Sequence, residues 1–441
     1  MTLEDYLEVD ARLYPDKTAV VCGSSAVTYA GLQRMVDSRV GELQREGYEA
    51  GQTVCLRAAS TTEFLVDYFA LHRFGCVVAP LEQSTPDATF ADIARHLGAH
   101  TCPEGTADIL YTTGTTGVSK GVMISHRTII ADAENLIDGQ GFSHDLAFVV
   151  SGPLNHIGSL SKLYPVILLG ATIIIVDGMK DLSAFFSAFD GPYRRMATFL
   201  VPASIRILLQ MAPRQLQALA DRMEFIETGA AAISRSDMEA LCRLLPHTRL
   251  YNTYASTETG IISTYNYNDG RCIAGCLGRP MRHSRLVITD GGTIACSGPT
   301  LMTGYVGDAG RTAAVLRDGV VYTSDLGTID DEGMLHLTGR EGDVINVGGF
   351  KVAPTEVEGA AMAFAGVADC VCTAVDHPLT GKALKLLVVM SEGATLDKRA
   401  LAHHLSSRLE TYKVPMLYAQ VDKVERTFNG KINRKAYIFP R

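Results

Sequence analysis

Tyr111-Thr-Thr-Gly-Thr-Thr-Gly-Val-Ser-Lys-Gly121 is the stretch on which the reading of this chain turns. Four threonines, three glycines and one lysine in eleven residues offer hydroxyls, backbone N–H groups and a cation to an anion. Glycine lets the backbone approach a ligand closely, and successive N–H groups form a concave nest for phosphate oxygens. The apolar Ile109-Leu110-Tyr111 reads as a short strand leading in. The spacing Gly114-x-x-Gly117-x-x-Lys120-Gly121 is not that of a Walker A loop, yet a polyphosphate is the natural ligand. Standing alone, the loop would serve equally well as a threonine-rich surface turn.

Outward from the loop, short strands alternate with helical patterns. Helices are predicted over 3–14, 30–46 and 64–71, with strands over 19–22, 53–56 and 75–80. Past the loop, strands over 147–151, 172–176 and 198–201 alternate with helices over 160–169, 182–189 and 205–211. Such alternation implies an α/β fold with helix-covered, parallel β-sheets. Beyond Gly275 come short strands and glycine-rich turns, as in a barrel-like lobe. The polar break at 340–342 divides a large N-terminal domain, 1–339, from a small α+β C-terminal domain, 343–441. In the latter, helices are expected over 354–361 and 397–409 and strands over 369–375 and 384–389.

With 441 residues, 47% of them apolar and 20% charged, the chain has ample material for a core. A net charge of −8 argues against a nucleic-acid partner and against attraction to anionic membrane. The acidic start, Met1-Thr-Leu-Glu-Asp5, carries no secretion signal, and no apolar run is long enough to span a bilayer. Ten scattered cysteines without metal-ligand spacing read as buried thiols of a cytoplasmic protein.

The loop is followed, in order, by Pro153-Leu-Asn-His156, Thr228-Gly-Ala-Ala-Ala232, Tyr254-Ala-Ser-Thr-Glu258, Tyr322-Thr-Ser-Asp325, Gly339-Arg340 through Lys351, and Asn429-Gly-Lys431. This ordered set resembles the adenylate-forming enzymes: acyl-CoA synthetases, aryl-acid ligases, luciferases and adenylation domains. The resemblance runs from the end of the first hundred residues to the C-terminus. Before it, only roughly thirty residues separate Pro80 from the loop. Family members usually carry more there, so the N-terminal subdomain looks trimmed.

The resemblance implies roles residue by residue. Thr112, Thr113, Gly114, Thr115, Thr116 and Lys120 would hold the ATP phosphates; Ser119 stands where proline is usual. Tyr254 would stack on adenine, Thr257 would contact the α-phosphate and Glu258 would ligate Mg²⁺. Ala255 replaces the usual glycine, so its backbone should sit at negative φ or under mild strain. Gly229, Ala230 and Ala231 would line the adenine and the carboxylate end of the acyl pocket, where a packed strand-to-helix turn is the plainer reading. Asp325 and Arg340 would reach the ribose. Lys431 would bridge the attacking carboxylate and phosphate oxygens, and His156 would lie at the acyl pocket.

The family's second step passes the acyl group to a thiol, coenzyme A or the phosphopantetheine of a carrier protein, after its mobile C-terminal domain rotates. Gly342 would serve as the hinge, and Gly348, Gly349 and Lys351 as part of the thiol tunnel; a hairpin turn is the plain alternative for the latter.

Amino-acid-activating members carry an aspartate where this chain has Asn155-His156. Apolar Phe199 and Val201 nearby suit an aliphatic or aryl acid. Lys162 is a cation in an apolar helix, read as solvated or as the partner of a second carboxylate on an acid such as o-succinylbenzoate. Three functions compete: a CoA ligase, a ligase that loads a carrier protein, and a non-catalytic nucleotide or acyl sensor. Oligomeric state is not legible.

Overall fold

A computed structural model describes residues 1–112, 120–427 and 431–437. Its largest sheet has fourteen strands. Six of these run parallel, in the spatial order Thr18–Cys22, Thr172–Ile175, Ala147–Val150, Met196–Leu200, Met223–Thr228 and Arg249–Ser256. Runs such as Thr172-Ile-Ile-Ile175 are buried at every position, because helices cover both faces of a parallel sheet. The antiparallel strand Gly260–Asn266 ends the parallel run and pairs with Cys276–Pro280, which leads into the antiparallel strands of the predicted lobe. That lobe is therefore hydrogen-bonded to the end of the main sheet, though it keeps an apolar cluster of its own around Ile262, Ile294, Cys296 and Leu335.

A second sheet of five strands carries Thr53–Ala58, Val77–Glu82 and Thr106–Thr112 in parallel, with Lys120–Ser125 folded back against Thr106–Thr112. The sequence reading found the entering strand but missed the returning one. It also missed the helix Asp87–Gly98 within the short stretch before the loop, and the helix His126–Gln140 after it. The latter is bounded by a Ser125 side chain that accepts from Thr128 N–H and by Gly141 at φ 71°. The helix predicted over 160–169 is two short ones, Ile157–Leu160 and Leu163–Leu168. Pro165 has no N–H for the Ser161 carbonyl, so the ladder breaks there.

The first helix, Leu3–Leu13, is pinned to the second sheet by charge. His72 is fully buried, with Nδ1 3.0 Å from Glu4 and Nε2 3.0 Å from Asp108. Tyr68 donates its hydroxyl to the other Asp108 oxygen at 2.8 Å. Burial opposes a charged imidazole, but the charges and hydrogen bonds of Asp108 and Glu4 outweigh it and push the His72 pKa up to about 10. His126 stands beside this set, its Nδ1 4.0 Å from Glu4. Glu4, His72 and His126 have ligand-like spacing for a metal, but a proton on His72 already balances the buried carboxylates.

The chain closes with a three-stranded sheet, Val367–His377, Gly381–Met390 and Leu417–Gln420, against helices Pro354–Met362 and Lys398–Ser406. Val352, Val357, Leu386, Val388, Leu401 and Leu405 form its separate core.

Candidate active site

Four neighbouring parallel strands end along one edge, and each delivers predicted residues there. His156 follows Ala147–Val150. Phe199 and Val201 flank the end of Met196–Leu200. Gly229 to Ala231 follow Met223–Thr228. Tyr254 closes on the end of Arg249–Ser256, with Thr257 and Glu258 in the turn beyond. The carboxyl edge of a parallel sheet is where α/β folds place their ligands, because the loops leaving it are free of the ladder.

Local chemistry shapes each contribution. Thr228 turns its hydroxyl onto Leu200 O at 2.7 Å, holding the two strand ends together. A Cβ at Gly229 would lie 3.0 Å from Thr253 O, so glycine is what lets this turn press on the next strand. Ala230 has φ 67°, a left-handed conformation that L-residues adopt at a cost of about 1–3 kcal/mol. Ala255 is not among the left-handed residues; a bulge between Tyr254 and Ala255 absorbs the change of register. The turn bearing Thr257 and Glu258 is tied by Ser256 and Thr259, whose side chains and N–H groups exchange hydrogen bonds of 2.9–3.1 Å.

Glu258 accepts a hydrogen bond from Tyr305 Oη at 2.9 Å, and Lys120 Nζ lies 5.1 Å from the Tyr305 ring centre. One tyrosine thus spans the expected metal ligand and the expected phosphate lysine. The Glu258 carboxylate is a hard oxygen donor, which fits Mg²⁺. Lys120 stands opposite Thr112 in the hairpin register. Thr113, Gly114, Thr115 and Thr116 lie outside the described residues. Gly121 is dictated by packing: a Cβ there would sit 2.7 Å from Val306 Cγ1 and 2.9 Å from Ile109 Cγ2.

Tyr254 is buried, and its hydroxyl donates to Asp325 Oδ2 at 2.7 Å. Arg340 pairs with Asp325 Oδ1 at 2.9 Å from the facing position of the adjacent strand. Lys431 joins this group. Burial and the Arg340 charge push its pKa down, and Asp325 and Glu258 partly offset them. His156 is held below the ordinary imidazole value by burial; Glu82 opposes that shift and the Lys431 charge adds to it. Glu82 ends the strand Val77–Glu82, so both sheets contribute to one charged group.

Phe199, expected at the acyl pocket, is closely packed. Its ring fits between Gly158 and Gly229, where added Cβ atoms would come within 3.1 and 3.5 Å of it. Lys162 corrects an expectation. It is 1% exposed, its Nζ lies 2.8 Å from both the Glu227 Oε1 and Oε2 atoms, and it sits 5.2 Å from the Phe199 ring centre. It is neither solvated nor an unneutralised cation awaiting a second substrate carboxylate. Near it, burial raises the Asp132 pKa to about 8 against an Ile261 N–H bond and the Lys162 charge.

Gly342 lies in a single 3₁₀ turn, Glu341–Asp343, with no atom within 4 Å of an added Cβ. Gly348 and Gly349, at φ 60° and 95°, form the two-residue turn of the hairpin Ile345–Val347 and Phe350–Val352, and Lys351 is exposed on its returning strand. Sequence reasoning missed Glu82, Tyr305, Glu227 and Asp132. A buried glutamate at the end of the apolar Met223–Thr228 strand was a signal for a cationic partner; nothing in the spacing of Tyr305 pointed to Glu258.

Comparison with known proteins gives one consistent result. The AMP-binding enzyme family matches residues 7–103 and 99–306, and its C-terminal domain matches 356–431. The two N-terminal pieces overlap at 99–103. The chain is 29% identical to a feruloyl-CoA synthase of Amycolatopsis sp over 480 aligned positions, covering 96% of this chain and 95% of that one. It is 25% identical to a 2-succinylbenzoate–CoA ligase of Bacillus licheniformis, covering 98% of each. The crystal structure of ATP-bound MatB from Rhodopseudomonas palustris superposes with a TM-score of 0.87 at 25% identity over 99% of both chains.

Proposed function

The chain belongs to the AMP-binding enzyme family and is an AMP-forming acid–thiol ligase, and from that premise we propose that it joins an apolar, aryl-bearing monocarboxylic acid to coenzyme A. In the first step a carboxylate oxygen attacks the α-phosphorus of ATP, and the bond to pyrophosphate breaks. In the second, the thiol attacks the acyl carbon and AMP leaves with that oxygen.

The observation that supports the reading best is the grouping of charges around Lys431: Arg340 and Asp325 from two antiparallel strands, and Glu258 and His156 from loops past the parallel strands. Bringing two anions together is the main electrostatic obstacle of the first step, and a desolvated lysine offsets it best where water is excluded. Lys120, with the loop residues 113–116, is assigned the leaving pyrophosphate. The Tyr254–Asp325–Arg340 group is assigned the nucleoside. Glu258 would hold Mg²⁺, which supplies further charge neutralisation on the phosphates.

Phe199 between two glycines favours a flat, apolar acyl group, and Glu227 leaves no unbalanced charge on Lys162 for a second carboxylate. We assign 1–339 to substrate activation, 343–441 to a movable unit that carries Lys431, and 340–342 to the hinge. Gly348, Gly349 and Lys351 are assigned to the thiol path when that unit turns. A sensor would have no use for Lys431 in this group.

The test is acid-dependent ATP–pyrophosphate exchange with Mg²⁺ over aryl, fatty, dicarboxylic and amino acids. Exchange with aryl monoacids, lost in Lys431→Ala, is expected. Exchange confined to dicarboxylates or amino acids would refute the substrate class, and exchange with none would refute the activity. Thioester formed on a carrier protein but not on free CoA would replace the acceptor.

A further inference from the structure

We propose that Arg206 and Asp369 form a latch that holds Lys431 in the acid-activating arrangement and opens before thiol transfer; the proposal rests on the two-step reading above. Four charges alternate in a row across the molecule. Asp237, on the helix Arg235–Leu244, receives Arg206 of the helix Pro202–Met211, with Nε and Nη2 at 3.2 and 3.1 Å. Arg206 Nη1 lies 3.5 Å from Oδ1 of Asp369, on the strand Val367–His377 of the C-terminal unit. Arg426 Nη2 closes on both Asp369 oxygens at 2.9 and 2.8 Å.

Arg426 in turn fixes the catalytic lysine. It pairs with Ile432 in an antiparallel bridge. Thr427 N–H donates to Lys431 O at 2.7 Å, and Asn433 N–H to Glu425 O at 2.8 Å. The backbone of Lys431 is therefore held by Thr427, the residue next to Arg426, and the residue after Lys431 pairs with Arg426 itself. On its other side, Arg434 binds Glu358 at 2.7 and 2.9 Å and Asp343 at 2.9 Å. Those partners belong to the same C-terminal unit and travel with it. The Arg206–Asp369 pair is the link of this row that crosses between units.

Neither member of that pair needs the other for its own burial. Asp369 is satisfied by Arg426, and Arg206 by Asp237. What the crossing pair adds is a fixed relation between the two units. It is long, and each side chain is 20% exposed, so it biases an equilibrium without locking it. Arg206 and Asp369 are positioning residues that act through Arg426.

Arg206→Ala and Arg206→Glu separate a latch from a merely structural pair. Three readouts are taken: pyrophosphate exchange, thioester formation from chemically prepared acyl-adenylate and CoA, and amide hydrogen exchange of the segments 421–427 and 431–437. Exchange of pyrophosphate should fall about threefold to tenfold in Arg206→Ala, further in Arg206→Glu, and recover in Arg206→Lys. Thioester formation from the adenylate should be unchanged or faster, and the two segments should exchange amide hydrogens faster. Equal loss of both half-reactions, or unchanged hydrogen exchange in those segments, overturns the latch. Absence of pyrophosphate exchange in the wild type refutes the function instead, and the hydrogen-exchange arm still decides the latch.

Discussion

Tyr254 donates its hydroxyl to Asp325 at 2.7 Å, from a ring that is 8% exposed, while Arg340 holds the other Asp325 oxygen. The carboxylate assigned to the ribose is thus oriented by the protein's own side chains, and the ring assigned to adenine is oriented by the same bond. Tyr254→Phe keeps the ring and removes that bond. A hydrogen bond to a charged group contributes about 1.5–3 kcal/mol. The KM for ATP in pyrophosphate exchange should rise about tenfold or more, with the acid's KM little changed. An unchanged KM for ATP would show that the hydroxyl orients nothing.

The Lys162–Glu227 pair is buried on both sides. Removing one member leaves an uncompensated charge, at a cost of about 3–5 kcal/mol, whereas replacing both by apolar residues of similar size is often neutral. Lys162→Met and Glu227→Gln should each lower the unfolding midpoint in urea markedly, and Lys162→Met/Glu227→Met should recover most of it. Relative rates on mono- and dicarboxylic acids should shift equally in the recovered variant. A selective loss of dicarboxylate activity would restore Lys162 as a substrate contact.

His72 and Glu4 give stability a pH window with two edges. The His72 pKa is raised to about 10, from an ordinary value of 6.5, so its contribution is full below the unfolded pKa and is lost as pH rises through about 10. Burial alone would raise the Glu4 pKa. The hydrogen bond and charge of His72 overcome that and bring it down to about 2, so its contribution is present above 4.5 and lost as pH falls toward 2. Thermal unfolding of wild type and His72→Gln followed from pH 4 to 10 should therefore differ most between about pH 4.5 and 6.5, by about 3–5 kcal/mol, and converge toward the alkaline end. A constant difference would mean that His72 is neutral in the fold.

Gly342 has no left-handed φ and open space where a Cβ would go. Gly342→Ala should leave pyrophosphate exchange near wild type. Gly342→Pro fixes φ and removes the freedom a hinge needs, so it should spare exchange and slow thioester formation. Equal loss of both steps would dismiss the hinge.

How much of this was legible follows from what a sequence encodes. Alternating apolar runs gave the parallel sheet, because a strand buried on both faces must be apolar throughout; Thr172–Ile175 is such a case. Three of the ordered motifs, 153–156, 228–232 and 254–258, fall at or just past the ends of neighbouring parallel strands, whereas Asp325 lies within Val320–Ile329. The helix His126–Gln140 was missed because buried polar residues interrupt its apolar stripe: Asp132 bonds Ile261 N–H and Asn135 bonds Ile261 O. Lys162 was misread because its neutralising partner is 65 residues away, on the strand Met223–Thr228. Tyr305 and Glu82 were invisible for the same reason: their roles exist only across two sheets.

The central claim is that the acid's own oxygen becomes bonded to the α-phosphorus. The most direct measurement uses an aryl monocarboxylic acid labelled with ¹⁸O in its carboxylate, turned over with ATP, Mg²⁺ and CoA, and asks by mass spectrometry where the label goes. The account predicts ¹⁸O in the phosphate of AMP and none in pyrophosphate. Label in inorganic phosphate with ADP as co-product, or AMP free of ¹⁸O, would contradict it.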